Sequence, residues 1–268
     1  MGELVLIGLG LYNENDLTLR GIREAKSADE VFAEFYTSLM PGLALSNLES
    51  VIGRKIMVLS RKDLEEDCGE KILAIAKNGK AALLIPGDPL VATTHVELCI
   101  RAVKEGIKTR IVHNASIISA IAGICGLQNY KFGRSVSIPF PHGEILSETP
   151  YEVIKQNQQF GLHTLCFLDI NAEEKRYMSI NEGLAILSKI ELNRGEKVIT
   201  ADTLAVGIAR AGCPDEIVKA DFVNKLSSLN FGQPPHCLVF PGKLHFMEAE
   251  ALIVLCNAPE SIMELTLQ

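Results

Sequence analysis

The turn Pro86-Gly87-Asp88-Pro89 has the residue types needed to hold a ligand: a conformationally free glycine, a carboxylate, and two prolines that stiffen the chain. It follows the unbroken apolar run Ala81-Ala82-Leu83-Leu84-Ile85, which reads as a strand buried on both faces. In an open α/β sheet, ligands bind at the carboxyl ends of such strands. An ordinary strand-to-helix connection, with Asp88 capping its own helix, would use the same residues. A second aliphatic run, Leu4-Val5-Leu6-Ile7, ends in Gly8-Leu9-Gly10, where the missing side chains permit close backbone approach.

Other chemistries fit less well. Gly8-Leu9-Gly10 opens like a dinucleotide fingerprint, but Asn13 stands where the third glycine belongs. Nor does the second strand end in a carboxylate free for a ribose, since Phe35 and Tyr36 follow Glu34 directly. The six histidines (His95, His113, His142, His163, His236, His245) show no metal-ligand spacing, so no metal centre is expected. The seven cysteines lie far apart without a C-x-x-C pair, and read as reduced core residues of a cytoplasmic protein. Glu65-Glu66-Asp67 reads as a solvated helix face. There is no G-x-S-x-G elbow and no Walker loop, which disfavours hydrolase and P-loop chemistry.

Composition sets the outer bounds. A chain of 268 residues, 47% apolar and 22% charged, suits two packed domains of medium size. A net charge of −7 argues against a protein that grips nucleic acid by neutralising phosphates. The start Met1-Gly2-Glu3 lacks the basic region of a signal peptide, and no apolar run reaches membrane-spanning length, so a soluble protein without membrane attachment is expected.

The elements that must position the two glycine turns follow from periodicity. Strands are expected at 4–7, 31–35, 56–60, 81–85 and 109–112, alternating with helices at 17–25, within 64–76, and at 93–105. Asn15-Asp16 would cap the first helix, with Leu19, Ile22 and Ala25 inward, while Tyr36 to Asn47 reads as a loop or short helical detour. Alternation of this kind predicts a doubly wound parallel sheet in an N-terminal α/β domain of residues 1–113. Residues 114–268 form a second, mixed-sheet α/β domain: helices at 116–125, 151–160, 178–190, 223–229 and 247–256, and strands at 134–140, 163–170, 197–201, 216–220 and 237–240. Leu204 to Ala209 is a further apolar segment, Ser116 a possible N-cap, and Pro141 to Pro150 a loop expected to be mobile.

Taken together, several stretches resemble one family. They are Gly8-Leu9-Gly10-Leu11, Asp16-Leu17-Thr18, Ser27-Ala28-Asp29-Glu30-Val31, Gly87-Asp88-Pro89-Leu90-Val91-Ala92-Thr93-Thr94-His95 and His113-Asn114-Ala115-Ser116-Ile117. Later come His163 to Ile170, Arg176-Tyr177-Met178-Ser179, Pro234-Pro235-His236 and Pro241-Gly242-Lys243-Leu244-His245. The pattern is similar to the two-domain methyltransferases that include the tetrapyrrole methylases, and within them to the branch that modifies translation elongation factor 2 in diphthamide biosynthesis. One departure is Tyr12-Asn13 after Leu11, where the family has a Gly-Asp pair.

The resemblance implies S-adenosylmethionine as methyl donor, bound in a cleft between the domains and released as S-adenosylhomocysteine. By position its contacts would be Leu9, Asp88, Val91, Ser116, Ile117, Leu168, Ala211 and His236. It implies a methyltransferase acting on the amino group of a 3-amino-3-carboxypropyl-histidine in elongation factor 2, and a homodimer in the cytoplasm. No catalytic residue is assigned; Arg134 and Lys243 are candidate cations for the substrate carboxylate. A sulfonium is itself cationic, so carbonyls and a carboxylate such as Asp88 suit its pocket better than Lys or Arg. The rivals are a tetrapyrrole methyltransferase of the same fold and a noncatalytic donor-binding partner of the elongation factor.

Overall fold

The computed structural model describes residues 2–172 and 174–266. The chain divides into two compact units, Met1–Ile117 with Ala172–Glu174, and Ile118–Asn171 with Lys175–Gln268.

In the first unit β1 (Glu3–Gly8), α1 (Leu19–Lys26), β2 (Glu30–Glu34), α2 (Leu45–Ile52), β3 (Ile56–Leu59), α3 (Glu70–Asn78), β4 (Lys80–Ile85), α4 (Val96–Lys104) and β5 (Lys108–Val112) follow one another. The strands pair in the order β3-β2-β4-β1-β5, every neighbouring pair parallel. Side chains alternate across the sheet. Leu4, Leu6, Leu83 and Ile85 pack one face against Ile72 and Leu73 of α3 and Leu98 of α4. Val5, Ile7, Ala82 and Leu84 pack the other against Ala25 of α1 and Leu48 and Ile52 of α2. Helices on both faces explain why β1 and β4 are unbroken aliphatic runs, and the doubly wound expectation holds.

Two helix starts differ from the sequence reading, both because a side chain found other work. Asp16 does not cap α1: its Oδ2 receives the amides of Leu11 at 3.0 Å and Tyr12 at 2.7 Å. Thr18 caps instead, accepting from the Gly21 amide at 2.9 Å, and Leu19 is left 78% exposed. Helix α4 begins at Val96 rather than Thr93, since Ala92 takes a left-handed φ of 57° and the Thr93 hydroxyl donates back to the Pro89 carbonyl at 2.8 Å.

The second unit carries α5 (Ile117–Cys125), β6 (Val136–Ile138), α6 (Thr149–Gln159), β7 (Thr164–Leu168), β8 (Ile170–Asn171), β9 (Arg176–Tyr177), α7 (Ile180–Arg194), β10 (Leu204–Ala209), β11 (Ile217–Phe222), α8 (Val223–Leu226), β12 (His236–Phe240) and α9 (Phe246–Cys256). Its main sheet runs β11-β10-β12-β7-β6, antiparallel except for the parallel pair of β6 and β7, so the mixed sheet is as expected. The expected strand at 197–201 is absent. Val198 and Ile199 are buried, but their amides donate to the Glu191 carboxylate of α7 at 2.7 and 2.9 Å rather than to a sheet ladder. Leu204 to Ala209, which showed only apolar character, is the interior strand β10, paired on both edges. Among the described residues no helix is long and apolar enough to cross a membrane.

Candidate functional site

In the first unit the two glycine turns are bonded to each other. Beyond the last register pair, Gly8 with Ile85, the Leu9 amide donates to the Ile85 carbonyl at 2.8 Å, and Gly10 and Gly87 form an antiparallel bridge. Gly87 lies at φ 70° and Gly10 at φ 86°. A side chain on Gly8 would meet the Gly87 carbonyl oxygen at 2.5 Å, which is why this strand end needs glycine.

Asp88, 7% exposed, points back into its own unit. Its Oδ2 receives the Asn114 amide at 3.1 Å and lies 2.9 Å from His113 Nδ1. It does not cap α4, whose N-cap position is His95. Asn114 is the knot of this edge: its side-chain amide donates to the Gly8 carbonyl at 2.9 Å and the Asp16 carbonyl at 3.0 Å. Ser116 is buried, with its Cβ 3.8 Å from where a Gly87 side chain would begin. Thus Leu9, Asp88 and Ser116 gather at the carboxyl ends of β1, β4 and β5, with Val91, half-buried, in the loop after β4 and Ile117, also half-buried, opening α5. Leu9 is fully buried in the core, backbone included.

In the second unit Leu168, Ala211 and His236 also share one end of a sheet. Ala209 pairs with His236 and Cys237 with Phe167, which sets the starts of β12 and the loop after β10 beside the end of β7. The His236 ring is bonded on both sides, Nδ1 accepting from the Ile180 amide at 3.3 Å and Nε2 lying 3.0 Å from the Gln233 carbonyl. Burial lowers its pKa, so the imidazole is neutral. Ala211 is half-buried, next to Arg210, whose buried guanidinium bonds Asp215 Oδ2 at 2.6 Å and the Phe231 carbonyl at 2.9 Å. Arg134 and Lys243 are exposed.

By residue type the eight expected contacts include one carboxylate and one histidine, and no Lys or Arg. Sequence reasoning missed the organising roles of Asn114, His113 and Asp16. Their stretches were conspicuous, but bonds spanning 106 positions leave no local signal.

The model of the tetrapyrrole (corrin/porphyrin) methylases matches residues 3–227. The diphthine synthase of Methanosarcina mazei is 50% identical over 266 residues, covering 97% of this chain and 98% of its own. That of Methanocaldococcus jannaschii is 49% identical, covering 95% of this chain and 99% of its own. A crystal structure of diphthine synthase superposes with a TM-score of 0.89 at 38% identity, covering 98% of this chain and 99% of that one. The chain belongs to the tetrapyrrole methylase family, among the diphthine synthases. Membership of the diphthine synthases makes it an S-adenosylmethionine-dependent methyltransferase, as the resemblance implied, and disfavours the noncatalytic rival. The tetrapyrrole rival is likewise disfavoured, since the relatives sharing half the residues over nearly the full length are diphthine synthases.

Proposed function

We propose that the chain methylates, successively, the amino group of the 3-amino-3-carboxypropyl-histidine of translation elongation factor 2, giving diphthine. The observation that carries this reading is identity of about half the residues to diphthine synthases across nearly the entire chain. Its donor is S-adenosylmethionine, with Leu9, Asp88, Val91, Ser116, Ile117, Leu168, Ala211 and His236 as its contacts, and the enzyme works as a cytoplasmic homodimer.

Bound S-adenosylmethionine supplies an electrophilic methyl group whose sulfur departs with the bonding pair. The protein's part is to hold that cation and to orient a neutral amine. Asp88 places a buried carboxylate at the turn, and the neutral His236 adds no opposing charge. The proton shed after each early methylation passes to solvent, and a quaternary product has none to lose, so no dedicated base is assigned.

Incubation with labelled methyl donor and elongation factor 2 carrying the unmethylated side chain should label the protein substrate, while a porphyrin precursor stays unlabelled. Label on the tetrapyrrole alone would overturn the reading.

A further inference from the structure

A pocket of the first unit, about 150 Å³, opens beside the carboxyl ends of β2 and β4, where the loop from the Gly87-Asp88-Pro89 turn runs on to α4, and is lined by Tyr36, Leu64, Glu65, Thr94, His95 and Glu97 among others. Volume for roughly five waters is room for a small polar end group. Its buried wall is unusual. His95 is 3% exposed, yet neither ring nitrogen makes a well-formed hydrogen bond; the Pro89 carbonyl is nearby and Glu34 Oε1 lies 3.8 Å from Nε2. The Tyr36 hydroxyl is also buried without a well-formed hydrogen bond, the Glu65 carboxylate lying near it, and the two rings are 6.4 Å apart. Buried polar groups in folded proteins are nearly always bonded, since each left unmade costs about 1–3 kcal/mol. Glu34 does not relieve them, because its oxygens take the amides of Tyr36 and Thr37 at 3.0 and 3.1 Å and the Thr37 hydroxyl.

Charge is divided across the mouth. Glu65 and Glu97 are exposed carboxylates, with Thr94 donating to Glu65 at 3.3 Å. The Arg61 guanidinium lies over the Tyr36 ring, 5.2 Å from its centroid. Burial lowers the His95 pKa to about 4, so the ring is neutral and offers one donor and one lone pair. A neutral imidazole and a phenol inside, carboxylates on the rim and a guanidinium beside them complement a group bearing both an amine and a carboxylate.

Resting on the reading of the chain as an amine methyltransferase, we propose that this pocket receives the amino-acid end group of the acceptor side chain. The His95 lone pair and Tyr36 hydroxyl orient the amine, Glu65 and Glu97 compensate its charge once methylated, and Arg61 faces the carboxylate. His95 and Tyr36 are thus positioning residues for the acceptor.

The test has two arms. In protein carrying nitrogen-labelled histidine, 2-aminobutyrate and its N-trimethyl form should shift the His95 ring resonance, assigned by its loss in His95→Gln, whereas butyrate should not. With elongation factor 2 as acceptor, Glu65→Gln combined with Glu97→Gln, and separately Tyr36→Phe, should raise KM about tenfold with donor affinity held within twofold. An unmoved His95 resonance, an equal response to butyrate, or a loss confined to donor affinity would overturn the proposal. Wild-type protein that transfers no methyl group to elongation factor 2 would refute the functional reading instead, and the titration would still judge the pocket.

Discussion

The side-chain amide of Asn114 donates to the carbonyl of Gly8 at 2.9 Å, joining the end of β1 to the residue that follows β5. The same amide reaches the Asp16 carbonyl at 3.0 Å, so one side chain holds three segments of the proposed donor site. Asn114→Ala leaves two partly buried carbonyls without this donor, and should cost about 2 kcal/mol in urea unfolding. Donor affinity measured by calorimetry should fall with it. A variant as stable as the parent, with the same affinity, would show that this bond does not shape the site.

Asp88 invites a substitution that separates charge from hydrogen bonding. In Asp88→Asn the side-chain oxygen still accepts the Asn114 amide, now 3.1 Å from Oδ2, while the negative charge is gone. Melting temperature should hardly move and S-adenosylmethionine should bind about tenfold more weakly. Equal affinity would confine Asp88 to bracing His113 and Asn114.

At Gly10 the backbone itself is the test. A β-carbon there would sit at φ 86° and 2.5 Å from the Asp16 β-carbon. Gly10→Ala should lose about 1–3 kcal/mol of stability from the strained angle, and more from displacing Asp16. The Leu11 and Tyr12 amides held by Asp16 would loosen, and faster hydrogen exchange at those two amides is the measurement. Unchanged protection would mean that the loop tolerates the shift.

The second unit stores acid sensitivity at Glu248, 1% exposed. Burial alone would push its pKa up. The amides of His245 and Gln128 at 2.9 Å, the Lys131 ammonium and His163 Nε2 at 3.0 Å outweigh that and hold it at about 2. A carboxylate pKa lowered on folding stabilises above its ordinary 4.5 and loses that stabilisation as pH falls toward 2. His163, lowered by burial, acts in the same sense, with loss beginning as pH drops below 6.5. Glu248→Gln should destabilise by roughly 3 kcal/mol at neutral pH, and the gap from wild type should shrink on acidification. A gap constant with pH would rule out the ionised carboxylate as its source.

Much of the fold was legible because periodicity is a local property. The aliphatic runs of β1 and β4 announced a sheet covered on both faces, and Gly8, Gly10 and Gly87 announced where the backbone comes close. The errors share one cause: a hydrogen-bond partner outside the local pattern decides what a polar side chain or a backbone amide does. Asp16 looked like a cap for α1 and instead ties Leu11 and Tyr12. Val198 and Ile199 looked like a strand because burial of apolar residues favours one, yet Glu191 supplied acceptors that made a ladder unnecessary.

By itself the sequence determined the class of both sheets, the two strand ends that bear glycine, and, through motifs spread along the chain, the family. Those are matters of residue type and spacing. Only the tertiary structure decided that Asn114 knots Gly8 to Asp16, that Asp88 turns toward His113 and Asn114, and that Tyr36 and His95 line one pocket without well-formed hydrogen bonds. Such relations depend on which strands lie side by side. In a parallel sheet each crossover brings distant positions to the same edge, so the contacts that build a site leave no trace in local sequence.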